Sequence, residues 1–276
     1  MQIESADGVV LALHDLGGSG PPLLIAHATG FLTAPYKPLA AGLTDQFHVF
    51  GLDLRAHGDS TPPASGVITW AGAGDDVLAA VDAIGAAITG FGHSWGGAAL
   101  LIAERSRPGT VRSAFLYEPI IPPSPLPATF GHGDNPLAAS ARKRRASFPS
   151  RADALARYAS RPPLGLLRAD ALALYVEEGF EDTPDGTVTL KCRPEDEAAT
   201  FEAAGFLTTA DISELELPVT VAAGDRHDGF GPPMFVPAIV EALPRGELLA
   251  YAHLDHFGPF QDPDTMADDV ITRTRA

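Results

Sequence analysis

Gly92-His93-Ser94-Trp95-Gly96 sets a serine between two glycines in the order G-x-S-x-G. The run Ala86 to Phe91 before it is short, apolar and β-prone, and Gly97 to Glu104 after it is helix-prone. A serine at such a junction sits on a sharp strand–turn–helix elbow with its hydroxyl pushed out above a sheet. The glycines are required because a Cβ there would collide with the neighbouring strand or helix. The chemistry on offer is nucleophilic attack. A serine hydroxyl is weak near neutral pH and needs a base to take its proton and a third group to orient that base.

On a strand–turn–helix elbow of this kind the partners follow in the order serine, acid, histidine. Two histidines stand near the C-terminus in Tyr251-Ala252-His253-Leu254-Asp255-His256-Phe257-Gly258. His256 lies further past the last strand candidate, where a loop can carry it over the sheet edge, and is the expected base. His253 reads as a strand-end residue. The pair also resembles a fragment of a metal site, but the further histidine such a site needs would fall at 251, which is Tyr.

The acid has three candidates. Glu118 ends the strand run Val111 to Tyr117 and is preferred, since functional residues gather at the carboxyl ends of parallel strands. Asp228 and Asp225, after the later run Pro218 to Ala223, are the alternatives. Two backbone N–H groups must face the developing oxyanion. One is expected from Trp95. The other is expected from the loop His27-Ala28-Thr29-Gly30-Phe31, at Thr29, with Phe31 as the alternative. His27 is expected to brace that loop. Asp53 and Arg55 are expected to tie neighbouring loops together, and His57 is read as structural.

These residues need elements to hold them. Gln2 to Ser5 and Val9 to His14 read as a hairpin turning at Asp7-Gly8. Leu23 to Ala26, His48 to Leu54, Ala86 to Phe91, Val111 to Tyr117, Pro218 to Ala223 and Gly246 to Tyr251 read as strands. Tyr36 to Leu43 and Asp75 to Ile84 read as helices. Strands alternating with helices predict a mostly parallel sheet covered on both faces. The segment 119–217 departs from this pattern. It opens on the proline-rich stretch Pro119 to Pro127 and turns helical at Ala152 to Ala159 and Ala169 to Glu178. It is expected to be a helical cap inserted into a core formed by 1–118 and 218–276.

The 276 residues, 45% of them hydrophobic, suffice for one such core with an insertion. A net charge of −16 argues against nucleic-acid binding. The single cysteine, Cys192, excludes an intrachain disulfide and fits a reducing compartment. Cys192 is read as a cap residue, and Arg142-Lys143-Arg144-Arg145 as a solvated face of a cap helix, with recognition of an anionic substrate group as the alternative. Residues 1–8 lack a basic region leading into an apolar core, and no apolar run approaches membrane-spanning length. A cytoplasmic protein without membrane association is expected.

Taken together the motifs resemble the α/β-hydrolase superfamily in its cap-bearing branch. They are His27 to Phe31, Asp53-Leu54-Arg55-Ala56-His57-Gly58-Asp59-Ser60, Gly92 to Gly97 and His256-Phe257-Gly258-Pro259. They span roughly residues 8 to 263. Only the serine elbow is specific by itself; in this order the set is highly so. Ala56 departs from the pattern, which usually has Gly there. The resemblance implies an eight-stranded sheet. Glu118 is similar in position to the acid of the subset that carries it after the sixth strand, as in zearalenone-type lactone hydrolases. Serine in place of an aspartate nucleophile disfavours dehalogenase and epoxide-hydrolase activity. The expected activity is cofactor-independent, metal-free hydrolysis of a carboxylic ester or lactone. Two other readings remain: a C–C bond hydrolase of a β-diketone or dienoate-like compound, and a non-catalytic small-ligand binder on the same scaffold.

Overall fold

The computed structural model describes residues 1–126, 135–227 and 231–274. The candidate acid Asp228, and Pro127 at the end of the proline-rich stretch, lie outside the described residues. The elements run β1 (Gln2–Glu4), β2 (Val10–Gly17), β3 (Pro22–Ala26), α1 (Lys37–Leu43), β4 (His48–Asp53), α2 (Trp70–Ile84), β5 (Ile88–His93), α3 (Trp95–Ser106) and β6 (Val111–Tyr117). Then come α4 (Pro136–Arg142), β7 (Ser147–Phe148), α5 (Arg151–Ala159), α6 (Ala169–Gly179), β8 (Phe180–Asp182), β9 (Val188–Leu190), α7 (Pro194–Glu202) and α8 (Thr209–Ile212). The chain closes with β10 (Val219–Gly224), α9 (Val236–Ala242), β11 (Gly246–Tyr251), α10 (Gly258–Gln261) and α11 (Pro263–Thr274).

Eight strands form one sheet in the order β1-β2-β4-β3-β5-β6-β10-β11. Pairs β1/β2 and β2/β4 are antiparallel and the rest parallel. The inner strands read as continuous apolar runs because both faces are covered. On one face Val77, Val81, Leu100 and Leu101 of α2 and α3 pack with Leu24, Leu116 and Val221. On the other, Leu39, Leu43, Met266 and Val270 of α1 and α11 pack with Leu23, Ile25, Phe91 and Phe115.

Two expectations need adjusting. Helix α2 begins at Trp70 rather than Asp75, because the Thr69 side chain accepts the Gly72 N–H and caps it. Its first turn, Trp70-Ala71-Gly72-Ala73-Gly74, carries too few apolar residues for periodicity to register. The segment 119–217 is not purely helical. Alongside α4 to α8 it holds a small antiparallel sheet in the order β7-β9-β8, whose strands of two or three residues are too short to show an alternating pattern.

The serine elbow depends on close approach. Strand β5 runs on to His93, where Gly92 and His93 pair with Leu116 and Tyr117. A Cβ on Gly92 would lie 2.5 Å from Gly97 Cα, and one on Gly96 would lie 2.2 Å from Ala26 O. Helix α3 therefore rests directly on the end of β3. In the Asp53 to Ser60 loop, Ala56 keeps the left-handed turn with φ 62°, in a conformation glycine would enter without strain. We predict that Gly96→Ala forces α3 away from β3 and destabilises the fold by about 2 kcal/mol or more. Thermal denaturation beside the wild type checks it.

Candidate active site

Ser94 stands between β5 and α3 with φ 55° and ψ −116°, a left-handed backbone that a side chain adopts only under strain. Its N–H donates to Tyr117 O at 3.0 Å, and its carbonyl accepts from the Gly97 and Ala98 N–H groups. Side chain and backbone are buried, with 7% of the residue exposed. Among the described residues the Ser94 hydroxyl has no hydrogen-bond partner, so no hydrogen bond joins it to His256. Such contacts commonly tighten only when substrate is bound.

Glu118 follows β6 directly and has φ 45°. It is wholly buried. Its Oε2 accepts from His256 Nδ1 at 2.6 Å, and its Oε1 accepts the Gly224 N–H at 2.9 Å. Because Nδ1 gives its proton to a carboxylate, Nε2 of a neutral His256 is left with its lone pair exposed. The His256 loop is held from several sides. Tyr117 O–H donates to Asp255 O at 2.6 Å, His93 Nε2 donates to His256 O at 2.8 Å, and the Phe257 N–H donates to Asp255 Oδ1 at 2.8 Å. The His93 and His256 ring centroids are 4.9 Å apart, so the residue beside Ser94 packs on His256.

The other candidates fall elsewhere. Asp225 is exposed and its N–H is tied to Tyr251 O. His253 is exposed and pairs with Asp262 at 3.0 Å, away from Glu118. Arg142 pairs with Glu195 and Glu202, and Arg145 lies over the Phe148 ring, which leaves the basic cluster largely engaged within its own segment. Cys192 is buried, and burial pushes its thiol up out of the reactive range. The described residues hold one cluster with metal-ligand types, His14, Asp53 and Asp59. Asp53 there already accepts from His14, Thr33 N–H and Asp59 N–H, and Asp59 pairs with Lys191. Burial opposes the Asp53 charge, yet His14 and the Asp59 N–H help hold its carboxyl down at about 2.

Within the turn Ala28 to Phe31, three of the four backbone N–H groups are engaged. Residues Ala28 to Phe31 form a tight turn in which the Phe31 N–H donates to Ala28 O at 3.1 Å and Gly30 has φ 77°. The Ala28 N–H goes to Tyr36 Oη, and the Gly30 N–H goes to His57 Nε2 at 3.0 Å. The Ala28 carbonyl is held on its far side by His27 Nδ1 at 2.8 Å. In a trans peptide the Thr29 N–H must then point the opposite way. Among the described residues it meets no acceptor, and neither does the Trp95 N–H at the start of α3. Phe31, the alternative donor, is already engaged.

Three buried imidazoles hold these loops, and their partners dictate their protons. His27 donates from Nδ1 to Ala28 O and accepts the Leu54 N–H at Nε2. His57 donates from Nδ1 to Arg55 O and accepts the Gly30 N–H. His93 donates to His256 O and accepts from Tyr36 O–H. Each must be neutral to do both. Burial lowers all three, with His57 taken down to about 4 and His93 well below the usual range. The sequence marks only His27 for such a role. The adjacency of His93 to Ser94 is the available signal for the second, whereas nothing local marks His57 or Tyr36 as a partner of this loop.

A native state that keeps imidazoles neutral loses stability where the unfolded chain takes up their protons. For His57 the contribution is whole above about pH 6.5 and is lost as the pH falls toward 4, on the order of 3 kcal/mol. His27 and His93 act in the same direction, and His14, raised by its bond to Asp53, offsets part. Chemical denaturation at pH 7 and at pH 4.5 is expected to show a large drop in unfolding free energy. A flat profile would contradict the neutral assignment.

Comparison with known proteins bears on this architecture. No curated protein matches the sequence. Among solved structures, E-2-(acetamidomethylene)succinate hydrolase is similar, with a TM-score of 0.77, 19% identity, and coverage of 100% of this chain and 99% of that one. A thermophilic esterase from Thermogutta terrifontis has a TM-score of 0.74 at 20% identity over 99% of this chain and 96% of that one. An esterase from Rhodococcus sp. ECU1013 has a TM-score of 0.75 at 21% identity over 99% and 97%. At such identities these likenesses speak for the fold alone. The model of the alpha/beta hydrolase family matches residues 6–269, and the chain belongs to that family.

Proposed function

We propose that this protein is a serine hydrolase that cleaves a carboxylic ester or lactone through an acyl-enzyme. The observation that carries the reading is the 2.6 Å hydrogen bond from His256 to buried Glu118, next to a serine on a strained elbow. Ser94 Oγ attacks the carbonyl carbon as His256 Nε2 takes its proton. The Thr29 and Trp95 N–H groups receive the oxyanion. His256, now charged and stabilised by Glu118, returns the proton to the leaving alcohol oxygen. Water then enters, gives a proton to His256 and attacks the acyl carbon; on collapse His256 returns that proton to the departing Ser94 Oγ, releasing the acid and restoring neutral His256 and Ser94. No metal or cofactor enters these steps. The segment 119–217 is the cap, since Tyr175 and Glu197 within it lie against Gly30 at the carboxyl end of β3. The esterases among the structural neighbours are consistent with the ester reading.

A fluorophosphonate probe is expected to label Ser94, and Ser94→Ala to lose labelling and at least about 10⁴-fold in aryl-ester turnover while keeping its thermal midpoint. Wild-type activity in that variant would remove the proposal. A protein that binds a small ligand yet neither labels nor turns over would be a binder. Hydrolysis of β-diketones in preference to aryl esters would move the reaction to C–C cleavage.

The acid has a separate test. Glu118→Gln presents an amide N–H to His256 Nδ1, so the imidazole must shift its proton to the nitrogen that should act as base. A loss of about 10³- to 10⁴-fold in kcat is expected. Asp225→Asn should change kcat by less than about threefold, since Asp225 is exposed and apart from His256. The reverse order would transfer the acid role to the strand β10 loop.

A further inference from the structure

The Ala28 to Phe31 turn is fastened from the cap as well as from the core. The Tyr175 O–H, on α6, donates to Gly30 O at 3.1 Å. Gly30 O is a carbonyl and accepts only, so the direction of this bond is fixed. Arg144, after α4, donates from Nη2 to Tyr175 Oη at 2.6 Å and from Nη1 to Glu197 on α7. With its lone pair occupied by Arg144, the phenol has its proton free for Gly30. Tyr175 is buried, at 2% exposure, and its ring packs on Phe31 with centroids 5.1 Å apart. Glu197 is close enough to Gly30 that a Cβ there would meet Glu197 Oε1 at 2.6 Å. Burial also raises the Tyr175 phenol well above its usual value, so it stays a donor at any working pH.

Each peptide of the turn thus has its own anchor. The 28–29 carbonyl is held by His27 and the Phe31 N–H, the 29–30 N–H by His57, and the 30–31 carbonyl by Tyr175. The first two anchors belong to the core. The third comes from the cap, 145 residues away in sequence. A turn is a short closed loop, so release of one peptide lets its neighbours rotate, and the donor at Thr29 shares a plane with the Ala28 carbonyl.

We propose that Tyr175, oriented by Arg144, is a positioning residue that locks the oxyanion turn when the cap is seated, so that the cap completes the Thr29 donor as well as enclosing substrate. This rests on the serine-hydrolase reading for its catalytic consequence, while the clamp itself is measurable without turnover. The lock acts on the transition state, where charge develops on the oxygen, and little on the ground state.

The test compares full-length wild type, Tyr175→Phe and Arg144→Lys. Tyr175→Phe removes one oxygen and keeps the ring packing. Arg144→Lys keeps a cation beside Glu197 but loses the fork that reaches Tyr175. In Tyr175→Phe, aryl-ester kcat is expected to fall about tenfold with KM within about twofold, as for an interaction made mainly in the transition state. By hydrogen exchange, the Gly30 and Phe31 amides should exchange at least about fivefold faster than in wild type. Arg144→Lys should move both readings in the same direction by less. Unchanged exchange in Tyr175→Phe overturns the clamp, whatever the turnover. Faster exchange with unchanged kcat overturns its positioning role. If wild type hydrolyses no ester and Ser94 does not label, the hydrolase reading falls, and the exchange arm still decides whether the clamp exists.

Discussion

Glu118 carries a carboxylate with no solvent contact at the carboxyl end of β6. Burying an unpaired charge costs several kcal/mol, so both of its oxygens must be satisfied from within. One takes the Gly224 N–H, which requires β10 to pass close by. The other takes His256, which requires the loop after β11 to fold back over the sheet. The left-handed backbone at Glu118 and the close approach of Gly224 to Leu254 meet that demand. The carboxylate is therefore a fixed point that draws β6, β10 and the His256 loop to one place beside the serine elbow.

Near this charge a set of neutral, directional side chains links the loops. His27, His57 and His93 each donate once and accept once, and Tyr36 Oη joins the Ala28 N–H to His93. The result is a continuous run of hydrogen bonds from the turn after β3, through the residue beside Ser94, to the carbonyl of His256. On the proposed mechanism, neutral imidazoles suit this purpose because a cation there would repel a charged His256.

Much of the core was legible because parallel strands buried on both faces leave unbroken apolar runs, as at Leu23 to Ala26 and Val111 to Tyr117. The elbow was legible because its glycines have no steric substitute. Glu118 and His256 could be named from strand ends and chain order, and the structure brings their side chains together. Asp225 was an alternative string; its exposure was not readable from its neighbours. The small sheet of the 119–217 segment escaped notice because two- and three-residue strands carry no period. Tyr175 escaped for a different reason. It looks like one more aromatic on an amphipathic helix, and only the fold brings its hydroxyl to Gly30. Long-range side-chain-to-backbone bonds of this kind leave no local pattern.

A crystal structure of the phosphonate adduct tests the arrangement most directly, because the adduct mimics the tetrahedral intermediate. The phosphorus is expected on Ser94 Oγ, with the phosphoryl oxygen about 3 Å from the Thr29 and Trp95 nitrogens and with His256 still bonded to Glu118. An adduct whose oxygen faces other amides, or in which His256 turns from Glu118 to a different carboxylate, would contradict it.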